Sequence, residues 1–314
     1  MASPPHAPHH RLLPVIVTVA AIALFSVMDA LMKRAAIVSG VTAALFVRSV
    51  IGAVLLWPVW RLRGGVWPVG KVMQLHALRG VLAAGMAGTF FWGIVRTPLA
   101  ESIAISFIAP LIALYLAAVL LGERIRREAV IAALFGILGV AVIAAARISD
   151  ARHTATAGWG IAAILVSALL YAWNLILQRK QALLALPLDV ALFQNLFAAA
   201  TLLLAMPLLV LAGFPLRDLL LPPAGTLPDI AAAAVLASTA LMLLAWSYAR
   251  AEAQVLVPVE YTAFLWSALM GWLWFAETVT PATLAGVALI LVGVWLGTRA
   301  SPSLQTHEMH VPPA

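Results

Sequence analysis

Ten stretches of about twenty apolar residues follow one another along the chain, each long enough to cross a hydrocarbon core of roughly 30 Å as a helix. They fall near 13–32, 40–60, 75–95, 100–121, 128–146, 158–178, 189–212, 228–249, 254–275 and 280–298, and the connections between them are short and polar or basic. The pattern predicts an all-α integral membrane protein with ten transmembrane helices. The windows divide into two blocks of five: a tail at 1–12, a first repeat at 13–147, a linker at 148–157, a second repeat at 158–299 and a closing tail at 300–314.

Polar punctuation at matching places argues that the second block repeats the first. Helix 1 ends DALMKR (Asp29 to Arg34) and helix 6 ends NLILQR (Asn174 to Arg179); helix 2 carries ALFVR up to Arg48 and helix 7 carries ALFQN up to Asn195. AES begins at Ala100 and AEA at Ala251, LLGER holds Glu123 and WFAET holds Glu277, and LGV at Gly139 matches VGV at Gly293. Because five is odd, the two blocks must cross the membrane in opposite senses. Inverted repeats of this kind suit secondary carriers, in which the parts rock about a site near the bilayer midplane.

Composition excludes a soluble protein: 64% of residues are hydrophobic, 10% are charged, and the mean hydropathy is +1.05. The absence of cysteine removes disulfides, thiolate metal sites and cysteine nucleophiles. The net charge of +7 would suggest nucleic acid in a soluble protein; here it sits in short loops, where it sets topology and meets anionic headgroups. With the N-terminus cytoplasmic, twelve basic residues fall on that side, including Arg61, Arg63, Lys71, Arg79, Arg124, Arg126 and Arg127. Six fall on the other: Lys33, Arg34, Arg96, Arg147, Arg152 and Arg217. Both termini are therefore expected in the cytoplasm. Trp57, Trp60 and Trp67 read as part of an inner aromatic belt, and Trp159, Trp272 and Trp274 as part of an outer one. His6, His9 and His10 lie in a polar tail that is expected to be disordered.

A charge at the bilayer centre costs about 2.5–3.5 kcal/mol on insertion scales, so each intramembrane ionisable residue is a site candidate. Asp29 near the end of helix 1 and Arg48 in helix 2 come to similar depth, either as a pair that pins the two helices or as a gate or carboxylate clamp. Their repeat counterparts are Asn174 and Asn195, an amide pair at the mirror position. Glu260 follows Pro258 by two residues in VPVEYTAF, where the missing proline N–H favours a helix break that exposes Glu260 and Tyr261. The counterpart in the first repeat is FIAPL around Pro110, with Ser106 nearby. Glu260 can bind a substrate ammonium, carry a coupling proton or cap the amides of the break. Trp92, Tyr171, Trp173, Trp246, Tyr248 and Trp266 complete an aromatic wall of the sort that holds amphipathic small molecules. Glu123 with Arg124, Arg126 and Arg127 reads as an interfacial cluster. Gly293 and Gly297, with Ala132 and Gly136, permit close helix contact between halves or protomers, as a monomer or a weak homodimer.

The stretches AESIAISFIAPLIALYLAAVLLGER (Ala100 to Arg124) and VPVEYTAFLWSALMGWLWFAE (Val257 to Glu277), together with Arg48, resemble the drug/metabolite transporter superfamily with paired EamA-type domains. Nearly the whole chain takes part, and the second stretch is similar to the YddG-like amino-acid exporters. Ala276 stands where Gly122 stands in the first copy, a departure from the usual domain ending. The resemblance implies a bacterial inner-membrane carrier with a cavity lined by helices 1, 3, 4, 6, 8 and 9, exporting amino acids or related metabolites without a cofactor. Efflux of drugs or organic cations by the same fold is the alternative. A membrane-embedded enzyme is disfavoured, because the sequence holds no HExxH, GxSxG or paired intramembrane aspartates, and no P-loop for ATP-driven transport.

Overall fold

A computed structural model describes residues 9–121, 127–149, 156–182, 184–215, 218–219, 221–251 and 253–300. All regular structure among them is helical. The elements are α1 (His9–Ser39), α2 (Val41–Leu62), α3 (Gly70–Ile94), α4 (Leu99–Ser106), α5 (Ala109–Leu121), α6 (Arg127–Ser149), α7 (Thr156–Ala182), α8 (Pro187–Leu211), α9 (Leu227–Tyr248), α10 (Ala253–Glu260), α11 (Ala263–Phe275) and α12 (Pro281–Ala300). The fourth and ninth apolar windows are each two helices, α4 with α5 and α10 with α11, so ten crossings give twelve elements. Six of the helices are long and apolar enough to cross a membrane, and four further segments are shorter apolar helices.

Both interruptions are closed by i to i−3 turns that satisfy the backbone, which a lipid solvent requires. In the first, Phe107 N donates to Ala104 O and Ile108 N to Ile105 O, over 3.2 and 3.3 Å. In the second, Thr262 N donates to Val259 O over 3.0 Å, and the Thr262 hydroxyl doubles that bond over 2.8 Å. Pro110 is the second residue of α5, just past its break, while Pro258 lies inside α10 three residues before the second break. Elsewhere hydroxyls fold back on their own helix, as Thr18 does to Pro14 O and Ser39 to Ala35 O.

Packing mixes the two repeats. One bundle joins α1 to α9, α10 and α11; the other joins α7 to α3, α4 and α5. Exchanging the repeats turns one list into the other, since α1 corresponds to α7, α9 to α3, and the broken pairs to each other. Two further contacts map onto themselves, α2 with α8 and α6 with α12. Each bundle thus takes one helix from one repeat and three from the other, so the packing units are not the two five-helix halves of the sequence. The α6–α12 seam is close because a Cβ on Gly139 would sit 2.5 Å from Gly286 O; contact is made there, and Gly136 packs instead on Leu111. At the short α1–α2 connection Gly40 has φ 80° beside Asp218, a conformation and a space that suit glycine.

Candidate functional site

Glu260 ends α10 at the second break, and its half-buried carboxylate is reached by phenols from both bundles. Tyr171 of α7 donates to Oε2 over 3.1 Å, and Tyr248, the last residue of α9, donates to Oε1. Two O–H donors occupy acceptor positions of an ionised carboxylate and hold it in place. The next residue, Tyr261, lies edge to face on Phe107 of the first break, with ring centroids 4.8 Å apart, and its buried hydroxyl has no hydrogen-bond partner among the described residues. The arrangement joins a fixed negative group, an unused donor and aromatic faces between two separately packed bundles, which suits a cationic or amphipathic small molecule.

A second polar knot lies where α1, α3 and α11 end. Lys33, 4% exposed, forms an ion pair with Glu277 and donates to Thr97 O over 2.8 Å, and its ammonium sits 4.8 Å from the centroid of the Phe275 ring. Glu277 also accepts from Leu99 N over 2.7 Å. Lys33 and Glu277 belong to one bundle and residues 97–99 to the other, so the pair ties both together at this end. Alongside, buried Glu101 accepts from Thr283 over 3.3 Å and lies 3.6 Å from Arg147 Nε. Arg34 makes a two-point contact with Asp229 at the start of α9. Basic-residue counting placed Lys33 and Arg147 in a loop, and repeat alignment used Glu277 only as a marker. Their partners are distant in sequence, and no local pattern announces them.

Arg79, counted among the basic residues of the cytoplasmic side, is likewise inside the protein, only 2% exposed. Its guanidinium donates to Asn174 Oδ1 over 3.1 Å, Gln178 Oε1 over 3.4 Å and Gln181 Oε1, all on α7. Gln181 Nε2 pairs with His76 Nδ1 at 2.7 Å, and His76 Nε2 is buried without a partner among the described residues. Trp60 is also buried, 2% exposed, and donates to Asp189 over 2.7 Å. It anchors α2 to α8 and does not belong to the aromatic belt, because its indole N–H needs that acceptor. Trp57, Trp67, Trp159, Trp272 and Trp274 are exposed.

The remaining sequence candidates are distributed as follows. Asp29 is buried and Arg48 half-buried, but among the described residues the two form no ion pair; Arg48 Nη1 points to Met28 Sδ at 3.5 Å and lies over Phe91. Asn174 and Asn195 do not meet, since Asn195 Nδ2 donates to Ala191 O and to Ser238. Trp92 and Trp246 occupy matching places, and each carries the arginine four residues later over its ring: Arg96 at 3.6 Å and Arg250 at 4.3 Å. Ser106 bonds back to Ser102 O, and Trp173 is exposed. Glu123, Arg124, Arg126 and His6 lie outside the described residues, while His9 and His10 form the start of α1.

A family model described as the EamA-like transporter family matches residues 12–145 and again 158–299. The chain is 26% identical to the pseudopaline exporter CntI of Pseudomonas aeruginosa over 88% of this chain and 93% of that one. It is 30% identical to a probable terminal-alkyne amino-acid exporter of Streptantibioticus cattleyicolor over 74% of this chain and 75% of the other. A solved crystal structure shares the fold, with a TM-score of 0.64 at 22% identity, covering 93% of this chain and 100% of that one.

Proposed function

The chain belongs to the EamA-like transporter family, and on that footing we propose that it is a secondary carrier exporting amino acids or related small metabolites across the bacterial inner membrane by alternating access. The observation that carries this reading is the Glu260 carboxylate, placed at a helix break and held by Tyr171 from one bundle and Tyr248 from the other. Broken helices at the meeting of two repeats are where carriers hold solutes. The names of two relatives, one an exporter of pseudopaline and one a probable amino-acid exporter, support a small polar solute and outward transport.

In this reading the two repeats, 13–147 and 158–299, are inverted in the membrane and both termini are cytoplasmic. The end holding Lys33, Glu277 and Glu101 then faces outward. Solute binds between the bundles at Glu260, Tyr261 and the aromatic wall, and the bundles rock about the breaks. Lys33 and Glu277 close the outer end by clamping Thr97 and Leu99 of the opposite bundle. Charged groups can do this within a membrane protein because each finds its countercharge and a backbone partner there.

A carboxylate ringed by tyrosines also fits an organic cation, so cation efflux is the second reading. Counterflow separates the two. Purified protein in liposomes preloaded with pooled amino acids is expected to take up labelled threonine, methionine, phenylalanine or lysine saturably. Exchange of tetraphenylphosphonium with none of the four would replace the amino-acid reading by the cation one.

A further inference from the structure

One face of α7 carries Tyr171, Asn174, Gln178 and Gln181, spaced so that they line up along the helix. Tyr171 bonds Glu260, and the three amides bond Arg79. The negative and the positive group are therefore held by neighbouring stations of one helix. Tyr171 and Asn174 are about 4.5 Å apart along its axis. Yet the two charges do not neutralise each other: among the described residues Arg79 has no carboxylate within ion-pair distance, and Glu260 has phenol donors.

A buried arginine without a countercharge is costly, and proteins ordinarily supply a carboxylate. The repeat shows how one would be supplied here. α1 carries Asp29 and Lys33 where α7 carries Asn174 and Gln178, so the stripe beside Arg79 is neutral at the position where its counterpart is acidic. Of the five guanidinium N–H groups, three are engaged with amide oxygens. That leaves one on each terminal nitrogen, matching in number the oxygens of a carboxylate. The NH2 groups of Asn174 and Gln178 are further donors. Arg48 differs in touching Met28, the residue next to the buried Asp29.

We propose that the transported solute is dipolar, with its cationic group at Glu260 and its carboxylate at Arg79, and that α7 is the rail that sets the distance between them. This rests on the carrier reading above and narrows it to zwitterions with the two charges a few bonds apart. Arg79 is then a specificity-determining residue.

The test is competition against counterflow in liposomes, using phenylalanine as the labelled probe, or whichever amino acid of the panel exchanges best. The competitors are the unlabelled amino acid, its decarboxylated amine (phenethylamine) and its deaminated acid (3-phenylpropionate). With the natural sequence, the amino acid is expected to compete about tenfold or more better than either single-charge analogue, the scale of one charge-assisted hydrogen bond. Arg79→Gln should make amine and amino acid equal competitors. Arg79→Lys, which keeps the charge, should retain part of the discrimination. If the amine competes as well as the amino acid against the natural protein, or if Arg79→Gln still discriminates against it, the dipolar assignment fails while the carrier stands. The natural-sequence comparison needs no variant to fold. If no amino acid exchanges, the solute reading falls and this inference with it.

Discussion

Phe107 and Tyr261 are the first residues of the two helix breaks, at matching places in the two repeats, and their rings meet edge to face with centroids 4.8 Å apart. The two interruptions therefore touch each other. Tyr261 brings a hydroxyl to this contact that is buried and bonds nothing among the described residues, although an unmade buried hydrogen bond costs about 1–3 kcal/mol. A group kept at that cost is expected to meet solute. Tyr261→Phe should leave the melting temperature unchanged or raise it, while raising KM for exchange; a fall in melting temperature with KM unchanged would make the hydroxyl structural.

Glu260→Gln keeps the shape of the side chain and removes its charge. Loss of exchange is expected, with the protein still inserted and monodisperse by size-exclusion chromatography. Tyr171→Phe removes one of two donors to the same carboxylate and is expected to weaken binding about tenfold, since hydrogen bonds to charged groups are worth roughly 1.5–3 kcal/mol. Normal exchange by Glu260→Gln would take this residue out of the mechanism.

Lys33→Met should destabilise by up to about 3 kcal/mol, the lower end of the range for breaking a buried pair, because it leaves the partly exposed Glu277 without its countercharge. The double substitution of Lys33 and Glu277 by methionine should recover most of that loss, as an apolar pair replaces an ionic one. Thermal melts in detergent compare the three proteins. Equal melts for the single and double variants would mean that the pair contributes nothing as a pair.

Gly286→Leu should separate α6 from α12, since a Cβ at Gly286 would already lie 2.6 Å from Gly139 O, a backbone atom that cannot turn aside. The expected result is a large drop in melting temperature. Gly158→Ala, in open space on α7, is the control and should be neutral.

The ten apolar windows and the twofold repetition were legible because lipid forces each crossing to declare itself by length and hydropathy. Glu260, Tyr171 and Tyr248 could be picked out because polar groups in such windows are rare. Their convergence on one carboxylate could not, since Tyr171 and Glu260 are 89 residues apart. Lys33 and Glu277 were missed for a related reason. They are 244 residues apart, and counting basic residues near window ends assigns a lysine such as Lys33 to a loop. The same count treats Arg79 as a surface charge although it is buried, and Trp60 reads as a belt residue because its acceptor, Asp189, is 129 residues away. The grouping of helices into bundles is a tertiary fact that hydropathy does not encode.

The most direct measurement of the alternating-access account is the distance between the bundles at both ends of one molecule. The chain has no cysteine, so spin labels can be placed on an otherwise natural sequence. Ile37 with Trp159 would report the Lys33 end, and Leu13 with Lys180 the opposite end; all four are exposed. In nanodiscs, adding an amino acid that the protein exchanges should lengthen one distance and shorten the other. Two distances that stay fixed, or that lengthen together, would contradict rocking of the bundles about the paired breaks.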